Sequence, residues 1–245
     1  MADARPSRLL VIFCRYPEPG QVKTRLAVRV GDEPAVDFYA ACLRDTFEQM
    51  QSCADVVQLA YTPDSAAARD WFRSWAGDAV SLWPQPGGDL GVRLEACFRS
   101  PAAQAATEVV VIGSDSPSLP VEYVTAAFKK LQDVDVVVGP ARDGGYYLLG
   151  LSTQGRIATL IDEVGSWPSL LFREIAWSGP QVYDETLSRI GAAGRSLAVL
   201  PPWYDVDTFD DLHQLRAHLQ RLQLSGVSSP CPRTAAVLAT WPEEE

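Results

Sequence analysis

Val109-Val110-Val111-Ile112-Gly113 runs straight into Ser114-Asp115-Ser116-Pro117, and this junction constrains the fold more than any other stretch of the 245 residues. A short aliphatic run that ends in turn residues reads as a strand buried on both faces of a parallel sheet. Open α/β sheets bind their ligands outside the carboxyl ends of such strands. A carboxylate at that edge, fixed by the following proline, is well placed to hold a divalent metal against a phosphate.

The rest of the chain supplies the partners such a strand needs. Strands are predicted over 9–14, 56–61, 79–83, 109–113 and 134–139, separated by helical patterns beginning at Glu33, Ser65, Leu90 and Val121. Apolar spacing at Val36, Tyr39, Ala40, Leu43, Phe47 and Met50 carries the first of these helices. This alternation predicts an α/β fold: a Rossmann-like, mostly parallel mixed sheet with helices on both faces. Asp143-Gly144-Gly145 then separates two β-rich runs, which suggests a hairpin or an edge strand over 146–151. Helical pieces near 169–174 and 182–192, a strand over 197–200, and a helix carrying Leu212, Leu215, Leu219 and Leu222 follow. One domain is expected over 1–224. Residues 225–245 form a Ser/Pro-rich tail that Leu238 and Trp241 could dock.

Charge and cysteine usage exclude several classes. The net charge of −10 argues against a nucleic-acid surface, which needs clustered Lys and Arg. No apolar run reaches bilayer length, and the first residues lack the apolar core of a signal peptide, so a cytoplasmic protein is expected. Five scattered cysteines contain no C-x-x-C, and the two histidines, His213 and His218, share one late helix. Any metal must therefore be held by oxygen.

Six segments offer chemistry. Arg15, Lys23 and Arg25 surround a Pro/Gly turn at Pro19-Gly20, a set suited to clamping phosphate oxygens, although G-x-x-x-x-G-K-[ST] is absent. A solvated loop is the plain alternative. Asp115 is a metal-ligand candidate, or a helix cap or turn residue. In Asp205-Val206-Asp207-Thr208, carboxylates two apart face the same side of an extended chain and can converge on one cation, while Thr208 and Asp211 resemble a capping box. Asp143-Gly144-Gly145 is either a hairpin turn or a place where backbone approaches a ligand, with Asp143 binding a hydroxyl or acting as a base. Arg93, at the start of the helix after Gly87-Gly88-Asp89, is a surface arginine or a further ligand contact. Trp177-Ser178-Gly179 is a candidate wall of an acceptor pocket.

Together, Pro19-Gly20-x-Val22-Lys23-Thr24-Arg25-Leu26, Gly113-Ser114-Asp115-Ser116-Pro117-x-Leu119, Pro140 to Gly150 and Asp205-Val206-Asp207-Thr208 resemble a bacterial family of glycosyltransferase-A-like proteins. That family is described as nucleotide-diphospho-sugar transferase-like and is similar in plan to phospholactate and molybdopterin guanylyltransferases. The likeness covers about residues 8 to 215. It implies a nucleotide-binding Rossmann-like half, a divalent cation and a nucleoside-diphosphate donor. One departure bears on mechanism. Many glycosyltransferases of this fold use Asp-x-Asp, but here the residue two after Asp115 is Pro117. A second ligand must come from elsewhere, and Asp207 is the best candidate.

The expected protein is a transferase dependent on Mg²⁺ or Mn²⁺ that uses a nucleotide-activated donor, with a nucleotide sugar favoured over an NTP. Arg15, Gly20, Lys23, Arg25, Arg93, Gly144 and Gly145 would bind the nucleotide and substrate. Asp115 and Asp207, with Asp205, would hold the metal. Asp115 and Asp143 would be the catalytic pair, Asp143 orienting or deprotonating a small-molecule acceptor. The alternatives are guanylyl or cytidylyl transfer from an NTP to a small phosphate or alcohol, and a catalytically silent nucleotide-binding protein. The strand after Asp143, if at an edge, would offer a homodimer surface.

Overall fold

The computed structural model describes residues 8–153, 167–177 and 179–241. Strand β1 (Arg8–Arg15) leads to α1 (Thr24–Val30) and α2 (Asp32–Met50), then β2 (Val56–Thr62), α3 (Ala66–Ala76) and β3 (Ser81–Pro84). Next come α4 (Leu90–Phe98), α5 (Pro101–Ala105), β4 (Glu108–Ile112), α6 (Val121–Lys130) and β5 (Val136–Pro140). The chain continues through β6 (Tyr146–Ser152), α7 (Trp167–Phe172), α8 (Val182–Ala192), β7 (Leu197–Val199), α9 (Phe209–Leu224) and α10 (Pro232–Ala239).

The seven strands form one sheet in the order β3-β2-β1-β4-β6-β5-β7. All neighbours are parallel except the two pairs made by β6, which runs antiparallel to β4 and to β5. Alternate side chains of the central strands enter two separate cores, because successive residues of a strand face opposite sides. Leu10, Ile12, Val110 and Ile112 pack with Leu43, Phe72 and Phe128 on one face. Leu9, Val11, Val109 and Val111 pack with Leu94, Phe98 and Phe172 on the other. The doubly covered sheet expected from the aliphatic run is therefore present.

β6 corrects one expectation. It pairs with β5 as a hairpin, but it lies inside the sheet, between β4 and β5, so it is not an edge and offers no dimer surface. The physical reason is burial on both faces: Leu148 enters one core, and Leu149 and Leu151 the other. Gly150 fits there because a Cβ would meet Leu131 at 3.0 Å and Val110 at 3.3 Å. The edges are β3 and β7.

Three short helices were not anticipated: α1, α5 and α10. The last follows residue 225 and packs on α2. Cys231 and Leu238 are buried with Phe38 and Cys42, and Trp241 stacks obliquely on Phe38 at 5.6 Å. Asp45, 1% exposed, accepts from the Thr234 main chain and hydroxyl, each at 2.8 Å. A buried carboxylate at the start of α10 thus satisfies donors that a helix cannot satisfy itself.

Candidate active site at the carboxyl edge

β1 and β4 are adjacent and parallel, so the loops after Arg15 and Ile112 emerge side by side. Glu18 and Gln21 close a turn (3.0 Å) with Gly20 at φ +72°, which returns the chain to Lys23 at the start of α1. Lys23 itself has φ 48°, an uncommon conformation for a side chain of its size. Its side chain is 2% exposed and its ammonium pairs with Asp115 and, at 2.9 Å, with Asp207. Arg25 reaches the other oxygen of Asp207 at 2.7 Å. Two of the three acids expected to converge, Asp115 and Asp207, do so around a lysine; Asp205 instead takes the Ser116 hydroxyl.

Two main-chain and hydroxyl ties bring the late segment to this edge. The Val206 N–H donates to the Asp115 carbonyl at 2.9 Å, and Ser116 Oγ donates to Asp205 at 2.5 Å. Beyond them, Ser118 Oγ lies 3.0 Å from the Tyr204 hydroxyl, which is 2.8 Å from His218 Nδ1 on α9. Thr208 and Asp211 form a complete capping box, so Thr208 caps α9 while Asp207 remains free to face the lysine.

The electrostatics follow from these contacts. Burial alone would lower the Lys23 pKa, but Asp115 and Asp207 outweigh it and hold the ammonium charged well above its usual range. Burial would raise Asp207, and Lys23 and Arg25 reverse the sign, leaving it below the ordinary carboxylate value. Asp205 is different. Burial pushes it up to about 7, opposed by the Ser116 hydrogen bond and reinforced by the charges of Asp115 and Asp207.

Two adjoining cavities open at this edge, each of about 580 Å³. Arg15, Gly20, Lys23, Arg25, Arg93, Asp115 and Asp207 line the first, so seven of the predicted site residues meet in one place. Asp143, Gly145 and Asp205 line the second, with Trp177 and Gly179; Ser178 lies outside the described residues. Arg25 and Leu90 belong to both. Gly144 is not among the wall residues of either. Its φ is +92°, and a Cβ there would run into the Pro180 carbonyl, so the glycine permits docking of the 143–145 turn on that segment. The Tyr183 N–H donates to the Gly144 carbonyl at 2.9 Å across the same contact.

Sequence reasoning missed Gln85, Tyr39 and Ser114, which also line the first cavity. Gln85 gives its side-chain amide hydrogens to the carbonyls of Ala60 (2.5 Å) and Cys14 (3.4 Å). Two carbonyl partners fix the amide's orientation and leave its oxygen to accept. The signal was its place, immediately after β3 and before Pro86-Gly87-Gly88, at the same carboxyl edge. Tyr39 looks like a core position of α2. Its hydroxyl accepts from the Arg15 N–H at 2.8 Å and lies 3.0 Å from Ser114 Oγ, bracing the two loops against each other.

The sheet order defines a Rossmann-like α/β fold, the one found in nucleotide-diphospho-sugar transferase-like proteins and nucleotidyltransferases. The chain belongs to the family DUF2064, described as an uncharacterized protein conserved in bacteria, whose model matches residues 45–179. It is similar to the crystal structure of a protein from Desulfovibrio desulfuricans G20 that is provisionally described as a nucleotide-diphospho-sugar transferase. The two are 29% identical, with a TM-score of 0.80 over 97% of this chain and 99% of the other. More distant likenesses extend to a nucleotidyl transfer enzyme from Methanothermobacter thermautotroptrophicus (13% identity, TM-score 0.57, 89% of this chain and 99% of the other). A cytidylyltransferase from Leptospira borgpetersenii gives 11% identity and a TM-score of 0.55, over 98% of this chain and all of the other (100%). These two share the fold. No curated protein matches the chain significantly. Among the described residues, no helix is long and apolar enough to cross a membrane.

Proposed function

We propose that the protein is a metal-dependent transferase that takes a glycosyl group from a nucleoside-diphosphate sugar and passes it to a small-molecule acceptor. The observation that carries this reading is the pair of adjoining cavities, one cationic and closed by Asp115 and Asp207, the other holding Asp143. Phosphates suit the first, where Arg15, Lys23, Arg25 and Arg93 stand along one wall. The base and ribose would lie toward Gln85 and the loop after β1, with the Gln85 oxygen accepting from an amino or imino N–H of the base.

The donor set suits Mg²⁺ or Mn²⁺. Asp115 and Asp207 offer hard carboxylate oxygens, and their side chains are 44% and 32% exposed, which leaves room for phosphate oxygens and water. Among the described residues no three His, Cys, Asp or Glu side chains gather into a metal cage, and a phosphate-bound Mg²⁺ does not need one. Asp115 and Asp207 would hold the ion, which would offset charge on the leaving phosphate. Asp205, tied to Ser116, would act as a support for that segment. Lys23 and Arg25 hold phosphate oxygens, and Asp143 orients the acceptor hydroxyl or takes its proton.

A panel of nucleotides and nucleotide sugars, screened by thermal shift with and without Mn²⁺, tests the reading. A UDP- or GDP-sugar that raises Tm only with metal, and is then turned over, supports it. A second reading is nucleotidyl transfer, favoured by the separation of the two acids onto distant segments in place of Asp-x-Asp. Pyrophosphate release from an NTP would select it. Tight nucleotide binding with no metal dependence and no turnover would mark a silent binding protein.

A further inference from the structure

Asp37, Ala40, Ala41 and Arg44 stand at i, i+3, i+4 and i+7 of α2, so they form one stripe along that helix. The two alanines leave the middle of the stripe hollow. Pro17 from the loop after β1, Trp71 from α3, Val237 from α10 and Trp241 just beyond it help to wall a third cavity there, of about 800 Å³. It shares no wall residue with the two cavities at the carboxyl edge.

Arg44 is the unusual member. Its guanidinium lies over the rings of Trp71 at 5.5 Å and Trp75 at 5.8 Å, and its Nε is closed to solvent without an acceptor. Among the described residues it forms no ion pair, in a chain with 31 acidic side chains against 21 basic ones. Indole faces offset part of the lost hydration of a cation, but they do not satisfy five N–H donors. The other wall arginine, Arg233, is neutralised by Glu48 through two bonds of 2.6 Å and by Asp45 at 3.3 Å. Asp37, the acid of the wall, is exposed and two turns from Arg44, about 10 Å along the helix, and the two do not pair.

The aromatic walls are held in place. Trp71 meets Tyr16 and Phe72 edge-on at 6.0 and 5.0 Å. Trp241 leans on Phe38 at 5.6 Å, and its carbonyl accepts from Arg216 at 3.1 Å. Fixed aromatic walls favour a flat apolar body, and a guanidinium fork matches the two oxygens of a carboxylate. A phosphate monoester brings nearly two charges to one unpaired cation, with Asp37 in the same space.

We infer that this third cavity binds an aromatic monocarboxylate, with its carboxylate on Arg44 and its ring among Pro17, Trp71 and Trp241. Pro17 belongs to the loop that presents Arg15 and Lys23 to the first cavity, so the occupant would touch that loop.

The test titrates the full-length protein with cinnamate, its neutral counterpart cinnamyl alcohol, and acetate, read by calorimetry and by NMR of the indole N–H groups. Cinnamate should bind at least about 10-fold more tightly than either control, and it should shift the Trp71 and Trp241 signals while Trp83 and Trp177 stay unmoved. Arg44→Met should bring cinnamate to within about 2-fold of the alcohol. Asp37→Asn alters only an exposed acid and should tighten cinnamate about 2-fold, which keeps the assignment testable if Arg44→Met fails to fold. Replacing Glu243, Glu244 and Glu245 by Gln should leave the affinity unchanged; a gain of about 10-fold or more would give the cavity to the chain's own acids and overturn the assignment. No saturable binding overturns it too, as do equal affinity for the alcohol, a preference that survives Arg44→Met, no tightening in Asp37→Asn, or shifts confined to other indoles. Because no wall is shared with the carboxyl-edge cavities, cinnamate binding by a protein that ignores every nucleotide would refute the donor reading and leave this one standing.

Discussion

The Lys23 ammonium lies 2.9 Å from Asp207, a residue 184 positions later, and the same nitrogen pairs with Asp115. A protein cation thus pairs with both acids that the proposed reading assigns to a metal ion. On that reading, lysine and metal would compete for one pair of carboxylates. Replacing Lys23 with Met should lower Tm in metal-free buffer, because two acids lose their shared counter-charge; with both acids partly open to water, the cost is about 1–3 kcal/mol, less than for a fully buried pair. Mn²⁺ should then raise the Tm of Lys23→Met more than that of the wild type. An equal or smaller Mn²⁺ shift in the variant would exclude competition.

On the proposed reading, Asp115→Ala removes a carboxylate that would help offset charge on the leaving phosphate. Turnover with whichever donor the panel identifies should fall on the order of 10²- to 10³-fold, as for other major electrostatic groups. The change also strips the buried Lys23 ammonium of one of its two partners, so Tm should fall as well, and turnover is compared at a temperature where the variant is fully folded. Near-normal turnover would remove Asp115 from the mechanism.

Gln85→Leu separates a structural from a recognition role. The change takes a donor from the Ala60 and Cys14 carbonyls, costing about 1–3 kcal/mol of stability, and it deletes the side-chain oxygen that the proposed reading sets against the base. Nucleotide affinity should fall about 10-fold. The ratio of affinities among bases should flatten; if the ratio is unchanged in calorimetry, Gln85 supports the strands and reads nothing.

Asp45→Ala should free α10. The carboxylate is 1% exposed and receives four hydrogen bonds from Arg233 and Thr234, so its loss leaves buried donors unpaired at the start of that helix. Amide exchange over residues 232–239 should accelerate well before the central strands β1 and β4 exchange. Uniform exchange changes across the chain would show instead that α10 unfolds only with the whole domain.

His218 gives the pH dependence a sign. Burial, with Arg221 nearby, holds its pKa below the ordinary 6.5. The folded state therefore binds this proton less readily than the unfolded one. The stability contribution is complete above pH 6.5 and is lost as pH falls from there through the lowered folded value. Tm measured from pH 7.5 to 5.5 should decline less steeply in His218→Gln than in the wild type. Parallel slopes would mean that the Tyr204–His218 hydrogen bond does not respond to protonation.

Much of this molecule could be read from residue order, and the gaps have physical causes. The aliphatic runs marked the central strands because burial on both faces leaves no polar alternation to misread. Asp115, Asp207 and the first-loop cations were legible because they terminate or follow those strands. The position of β6 was not, since turn chemistry at Asp143-Gly144 predicts a hairpin but not which strand takes its outer side. Helix α1 was hidden because it begins at Lys23, whose φ of 48° breaks the usual capping signals. The role of Gly144 was also hidden: only the folded chain brings Pro180 against it.

The hydrogen bond from Val206 to Asp115 joins two stretches of the polypeptide 91 residues apart. A chain that stops before residue 205 has all seven strands and the Lys23 loop, yet lacks Asp207, the second carboxylate of the ionic seat. The seat for Lys23 is therefore assembled by tertiary folding of distant segments, and a truncation before Asp205 leaves that buried ammonium with Asp115 alone.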